Sequence, residues 1–462
     1  MHEMNAGLEK MRADGVPDVA LRTFAHYYER LRAGEAGVLA ESELEPVTEL
    51  PDADALPADD DGAREALGQA VIIKLNGGLG TSMGMTGPKS LLEVKDGLSF
   101  LDITVHQIRD LRARTGARLP LVLMNSFATR DASLAALTPY DDLPVDGIDA
   151  DFLQSKVPKL VADDLAPVRW PADASLEWAP PGHGDLYPAL LSSGMLDALL
   201  DSGYRYAFVA NVDNLGAVME PRILAWLARE QIPFLMEVAD RTAADRKGGH
   251  LAQRTGGGGG LVLREIAQTP PGDVESFQDI IRHRYFNTNT LWIDLRALAD
   301  VLAARDGVLG LPMIVNRKTV DPSDPGSTPV IQLETAMGAA IDVFEGARAV
   351  RVPRERFAPV KTTDDLLALR SDAYELGGDG RITLAAGRTV APLVQLDPRH
   401  YKLVRDFEAR FPHGAPSLVA AERLTVRGDV AFGADVVVRG AATVEHSGDG
   451  QLQIADGSML EG

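Results

Sequence analysis

Short apolar strands alternating with helical stretches predict an α/β protein with a largely parallel sheet and helices on both of its faces. Two patterns flank that body. Residues 1 to about 34 carry apolar positions at helical spacing, and the C-terminal end carries apolar pairs that recur every six residues. The expected organisation is an N-terminal helical segment with an acidic linker (1–65), an α/β body (66–375) and a C-terminal parallel β-helix (376–462).

In chain order, "MNAGLEKMRADG" and "VALRTFAHYYERLRAG" are amphipathic and each ends at glycine, as helices do. Glu41 to Gly62, "ESELEPVTELPDADALPADDDG", is acidic and broken by proline, and reads as a solvated connector. "AVIIKL" is a buried strand, "LSFLDITVHQIRDLRART" a helix and "PLVLMNS" a second strand. "YAFVANV", "PFLMEVADR", "GLVLREIAQ" and "NTNTLWIDL" continue the strands, and "VIQLETAMGAAIDVF" is expected as a helix. Gly256–Gly260 reads as a hairpin tip. Near the end, Leu424/Val426, Val430/Phe432, Val436/Val438 and Ala442/Val444 give the six-residue period; an antiparallel meander is the alternative.

The chain has no cysteine, which excludes disulfides, thiolate metal sites and cysteine nucleophiles. No run approaches 18 apolar residues and the start lacks an apolar signal core, so a cytoplasmic protein is the default expectation. A net charge of −21 argues against a general nucleic-acid binder, and the lack of a long apolar run gives no membrane partner as the expectation. It does not exclude a small anionic substrate, since a few local cations can overcome a screened distant field. Only ten of the 46 basic residues are lysine.

In such sheets a ligand sits beyond the carboxyl ends of the strands, so the loops after "VIIKL" and "AFVAN" are the places to look. The first is "NGGLGTSMGMTGPKS". It fails the Walker A pattern because Pro88 separates Gly87 from Lys89, and it fails G-x-G-x-x-G because Met83 stands at the third position. A strand, Asn76-Gly77-Gly78, a flexible turn and a lysine after proline can nonetheless wrap an anion with backbone N–H groups. Lys89 would add a point charge. The second loop, "FVANVDN", ends a strand in Asn211, Asp213 and Asn214. A carboxylate there can hold Mg²⁺ against phosphate oxygens.

"LNGGLGTSMGMTGPKS" resembles the signature loop of the eukaryotic-type UTP–glucose-1-phosphate uridylyltransferases. The resemblance continues in order through "FLDITVHQI", "PLVLMNSF", "PPGHGDLY", "FVANVDNLGA", "MEVADRTAADRKGG", "FNTNTLW", "VIQLETAMGAAI", "FAPVKTTDDLL" and "LTVRGDVAFGADV". It covers the chain from about Ala66 onwards. It implies a Rossmann-like nucleotidyltransferase sheet with helices on both faces and a C-terminal β-helix, with UTP and glucose 1-phosphate as substrates and Mg²⁺ as cofactor.

By that resemblance Leu75, Asn76, Gly77 and Gly78 lie against base and ribose, Lys89 and Lys361 on the phosphates, and Gln154 on the uracil. An amide can both donate to and accept from a pyrimidine edge. Gly182 and His183 would sit where nucleotide meets hexose phosphate, with Asp185 capping the next helix. Asn211, Glu237, Asn287 and Asn289 would recognise the sugar, and Asp213 the metal. The implied reaction needs no general base, because a phosphate monoester is already ionised near neutral pH. It needs cations and alignment.

Three departures from the family stand out: Met85-Thr86, Ser155-Lys156 beside Gln154, and Thr290, which is expected behind the residues that line the sugar pocket and leaves glucose specificity open. Other readings are a pyrophosphorylase for galactose 1-phosphate or N-acetylglucosamine 1-phosphate, a UDP-sugar-dependent glycosyltransferase, and an inactive nucleotide-sugar sensor. The β-helix is expected to offer a surface for a homo-oligomer, since strand edges invite partners.

Overall fold

The computed structural model describes residues 2–35, 37–256 and 259–462. Ten strands form one mixed sheet at its centre. From one edge the strands run Asp151–Leu153, Leu121–Asn125, Ala70–Asn76, Tyr206–Asn211 and Tyr285–Asp294. The first four pair in parallel, with Leu123 opposite Asp151, Leu75 opposite Met124 and Asn211 opposite Leu75.

Tyr285–Asp294 ends the parallel run: it is antiparallel to both Tyr206–Asn211 and Phe234–Asp240. A parallel return needs a crossover, usually a helix of some length. Between Phe234–Asp240 and Tyr285–Asp294 the chain instead makes an antiparallel pair, His250–Arg254 with Leu261–Arg264, and a helix of only 5 residues. The alternation predicted a largely parallel sheet; the structure is mixed for this reason. Within the strands, period-two alternation separates two cores. Val71, Ile73 and Val209 face helices Leu186–Ser192, Met195–Asp201 and Leu295–Ala304. Ile72, Phe208 and Trp292 face Phe100–Thr115 and Pro221–Arg229.

The two N-terminal helices, His2–Ala13 and Asp18–Arg32, form as expected, with Gly15 and Gly34 past their ends at φ of 73° and 84°. They pack Phe24, Tyr27 and Tyr28 against Val157, Leu160, Ile331 and Leu333. Ile331 and Leu333 lie where a helix was expected, over Val330 to Phe344. That stretch is instead the strand Pro329–Thr335 followed by a 3₁₀ turn, Met337–Asp342. Pairing along Met313–Thr319 overrides the helical spacing, because β-branched Val330 and Ile331 fit a ladder closed on both sides.

The acidic stretch Glu41 to Gly62 is not a solvated connector. Leu44–Pro46 adds a strand to the central sheet, opposite Ala252 to Arg254. Its carboxylates are engaged: Asp52 and Asp59 cap helical turns nearby, and Glu41 reaches the distant Arg264 at 2.5 Å. The hairpin expected at Gly256–Gly260 is flanked by the pair His250–Arg254 and Leu261–Arg264; Gly257 and Gly258 lie outside the described residues.

At the C-terminal end, Leu393–Leu396, Ser417–Arg427, Val437–Glu445 and Met459–Glu461 form a parallel sheet, and Val430–Phe432 pairs in parallel with Leu452–Ile454. Parallel pairing rules out a meander. Leu424 lies opposite Ala442 and Val426 opposite Val444, so the six-residue period stacks residues eighteen apart. All eight apolar positions of the repeat are buried. Leu424, fully buried among them, is the test: Leu424→Ala should cost about 2–5 kcal/mol. A urea titration should show a lower midpoint with an unchanged slope.

Candidate functional site

The site grows from the register of two parallel strands. Leu75 and Asn211 are partners, so the glycine loop and the Asp213 turn leave the sheet side by side. Val212 N–H donates to Leu75 O at 3.2 Å, extending the pairing past the strand ends. Asn76 turns its amide sideways, donating at 2.7 Å to both Asn125 and Ser133, and is buried. What it offers beyond the sheet is backbone. Gly80 and Gly84 take left-handed conformations at φ of 61° and 74°, and Lys89 N–H closes the loop on Gly78 O at 3.0 Å. That returns Lys89 to the strand ends, where its Nζ pairs with Asp213 at 2.7 Å.

Gly77 faces Gln154. A Cβ at residue 77 would stand 2.7 Å from Gln154 Oε1, so only glycine lets the amide lie on this backbone. Gln154 N–H donates to Asn125 O at 2.8 Å, and the next residue, Ser155, donates its N–H to Asp185 at 2.5 Å. Asp185 therefore does not cap the helix that follows it; it fixes the loop that carries Gln154. Burial pushes its carboxyl up to about 7, against the opposing effect of the Ser155 hydrogen bonds.

Gly182, at φ 79°, passes so close to Thr335 that a Cβ would meet its carbonyl oxygen at 2.5 Å. His183 Nδ1 accepts from Met337 N–H at 3.0 Å, and burial pulls the imidazole down to about 4. It is a neutral ring offering only Nε2–H. Beyond Met337, Gly338 lies against Asn287, whose Nδ2 would be 2.8 Å from an added Cβ. Asn287 and Asn289 bond each other twice, at 2.8 and 2.9 Å, and Asn289 takes a left-handed φ of 56° at an irregularity of the strand pairing.

Asn287 N–H donates to Gly249 O at 2.9 Å, and Gly249 abuts Glu265: an added Cβ would be 2.5 Å from Glu265 Oε1. Glu265 is half-buried, has no ion-pair partner among the described residues, and burial raises its pKa. Gly249 thus lies between this carboxylate and Asn287, and the sequence reading did not single Glu265 out. Its only sequence signal is a charged pair, Arg264-Glu265, at the end of an apolar run.

Glu237 does not join that cluster. It is fully buried on the opposite side of the sheet, where Arg356 donates to its two oxygens at 2.8 and 2.6 Å and Trp292 Nε1 donates at 2.9 Å. Thr290 lies opposite it in register, fully buried with an unpartnered Oγ1, and likewise does not face Asn287. Glu237 has a consequence for the site all the same. Arg356, held there, begins the segment that carries Lys361. Asn214 grips that segment twice, donating to Arg356 O at 3.1 Å and accepting from Ala358 N–H at 3.0 Å. Val360 N–H reaches Asp213 O at 3.4 Å. Lys361 thus stands beside the Asp213 turn, exposed, with Nζ 5.6 Å from the Phe357 ring and no carboxylate paired to it among the described residues.

No three acidic, histidine or cysteine side chains among the described residues gather into a metal cage. Asp213 alone, partly exposed at a strand end, suits a cation that takes most of its ligands from phosphate and water, as Mg²⁺ does. No described helix is long and apolar enough to cross a membrane.

Residues 21–439 match the family described as UTP–glucose-1-phosphate uridylyltransferase. This chain belongs to that family. The enzyme of that name from Solanum tuberosum is 41% identical over 445 residues, covering 95% of this chain and 90% of its own. A probable one from Schizosaccharomyces pombe is 42% identical over 402 residues, covering 86% and 77%. A mutant of the Leishmania major UDP-glucose pyrophosphorylase, solved in complex with UDP-glucose, superposes with a TM-score of 0.93 at 45% identity, covering 100% of this chain and 98% of the other. A Trypanosoma brucei structure named UDP-glucose phosphorylase gives 0.91 at 46%, over the same shares.

Within this family member, Asp185 gives a measurable signature. Its folded pKa lies above the ordinary carboxylate value, so its stabilising preference for the neutral form is complete at low pH and lost as pH rises through about 7. Asp185→Asn keeps an acceptor for Ser155 N–H and removes the buried charge. Its melting temperature should exceed the parent's at pH 8.5, and the gap should narrow steadily as pH falls from 7 towards 4.

Proposed function

We propose that this protein transfers the uridylyl group of UTP to glucose 1-phosphate, giving UDP-glucose and pyrophosphate. The observation that carries this reading is the convergence of Lys89, Asp213 and Lys361 at the ends of two parallel strands, with Gln154 across Gly77 from them. Family membership and the UDP-glucose complex of a relative support it.

An oxygen of the sugar phosphate attacks the α-phosphorus of UTP, a new P–O bond forms, and the bond to the β-phosphate oxygen breaks with pyrophosphate leaving in line. The nucleophile's second pKa is about 6, so it arrives ionised and needs no base. His183 suits that absence: its Nδ1 already accepts a backbone hydrogen bond, and its Nε2–H can only donate. Gln154 reads uracil with both ends of its amide. The backbone of Leu75, Asn76, Gly77, Gly78 and Gly182 gives the nucleotide close approach. Asn211, Asn287 and Asn289, with Glu265 in place of Glu237, bind sugar hydroxyls; Glu237 instead positions the Lys361 segment through Arg356.

Mg²⁺ held at Asp213 would offset triphosphate charge. Lys89, freed from Asp213, moves onto the phosphates, and Lys361 meets the charge shared between sugar phosphate and α-phosphoryl in the transition state. Finer structural readings follow the same assignment. We read the parallel half of the central sheet as Rossmann-like and the C-terminal sheets as a β-helix, with domains at 1–65, 66–375 and 376–462. Met459, half-exposed on the last strand, is a contact point for a homo-oligomer, which a monomeric mass in solution would exclude.

Two measurements decide the assignment. Magnesium-dependent pyrophosphate release should be fast with glucose 1-phosphate and slow with galactose 1-phosphate or N-acetylglucosamine 1-phosphate; equal rates would broaden the specificity, and none would overturn the activity. Lys361→Ala should lower kcat by roughly a hundredfold or more while moving the affinity for UTP little. Normal turnover in that variant would remove Lys361 from the mechanism.

A further inference from the structure

We infer that the N-terminal segment is a two-point clasp that sets the geometry of the catalytic site: Asp14 holds the base-side loop through Lys156, and Glu41 holds the sugar-side wall through Arg264. The inference rests on the assignment of Gln154 to uracil and Glu265 to the sugar.

At the first point, Asp14 directly follows helix His2–Ala13 and forms an ion pair with Lys156. The Lys156 ammonium stands 5.0 Å from the Phe127 ring and 4.8 Å from the Trp178 ring. Lys10, on the same helix as the approach to Asp14, lies 5.1 Å from Trp178 and donates to Val168 O at 3.1 Å. Two lysines on one indole therefore join the helix to the loop. Lys156 is two residues from Gln154, and Ser155 between them is held from the other side by Asp185 at 2.5 Å. Among the described residues Gln154 itself is hydrogen-bonded only at its backbone, by Asn125. The loop has one tie at Gln154 and two after it.

At the second point, one carboxylate serves three donors distant in sequence. Glu41 accepts from Arg264 at 2.5 Å, Arg282 at 2.7 Å and His283 Nε2 at 3.0 Å. Arg264 is fully buried, and its other acid, Asp273, is more distant at 3.3 Å and also accepts from Glu41 N–H. A buried guanidinium cannot neutralise itself, so its position is set by Glu41. The next residue is Glu265. Leu39 N–H and Gln268 O, at 2.7 Å, repeat the tie on the far side of Glu265.

The two contacts reach within one or two residues of Gln154 and Glu265, and both come from the same 14–41 stretch. The segment also makes charged contacts elsewhere, Lys10 with Glu177 and Arg22 with Asp306 O, so what singles out these two is their position next to Gln154 and Glu265. Small errors in wall placement are costly to a reaction that depends on alignment.

The test is steady-state kinetics on full-length variants, with melting temperature measured alongside. Lys156→Met and Asp14→Asn should each raise KM for UTP about three- to fivefold, the span expected from losing a partly exposed ion pair, and leave KM for glucose 1-phosphate unchanged. Glu41→Gln should do the reverse. Because that variant weakens the partner of a buried cation, Arg282→Gln, which removes an exposed donor only, should shift the same KM in the same direction with the melting temperature unchanged. If both KM values move together in step with melting temperature, or neither moves, the clasp is overturned. Gln154→Ala and Glu265→Ala separate the layers. Should these leave their own KM untouched, the substrate assignment fails and the clasp with it; should they act while the clasp variants do not, the clasp alone fails.

Discussion

The site depends on one register: Leu75 opposite Asn211 in a parallel pair. Antiparallel pairing would have sent the two loops off opposite ends of the sheet. Parallel pairing delivers Lys89 and Asp213 to one place, at 2.7 Å, although 124 positions separate them in the chain. The pair also answers the electrostatic difficulty of a chain with net charge −21 that is proposed to bring two anions together. Lys89 and Lys361 stand at the site, the first paired with Asp213. Negative charge far from the site is screened.

Around that register, the site is fastened by groups that do no chemistry. Asn76, Asn125 and Asp151 link three adjacent strands through buried hydrogen bonds, and the half-exposed Arg130 pairs with Asp151. Glu237 holds Arg356, and Asn214 holds the chain after it, so the segment bearing Lys361 is set by a buried ion pair and two backbone contacts. Breaking a buried pair by removing one partner leaves an uncompensated charge, which costs far more than the pair itself contributes. That asymmetry makes such residues look functional in a sequence.

Local patterns were legible because local forces decide them. The N-terminal helices, the glycine turn with its left-handed positions, and the six-residue repeat all follow from spacing within a few residues. Val330 to Phe344 was misread because its spacing suits a helix, and only its two ladder partners, Met313–Thr319 and the distant Leu160–Val161, show that the ladder wins. The acidic stretch looked solvated because the arginines that use it, Arg264 and Arg351, lie more than two hundred residues away. Glu237 was expected at the sugar for a similar reason: it follows an apolar run, and strand alternation alone does not say which face of a mixed sheet carries the ligand. Asp185 was read as a helix cap, its commonest local use, whereas the structure spends it on Ser155 across the loop.

The glycines tie these levels together. Gly77 yields its Cβ space to Gln154 and Gly182 yields its own to the Thr335 backbone. At Gly182 the reason is doubled, because φ is left-handed as well. At Gly77 φ is unexceptional, and the requirement is purely steric. A glycine that turns the chain can be inferred from its neighbours in sequence. A glycine that admits a side chain from another loop cannot, since the constraint belongs to Gln154. Gly77 therefore links the two halves of the proposed nucleotide site: the loop that offers backbone to phosphate and ribose is also the surface on which the base-reading amide rests.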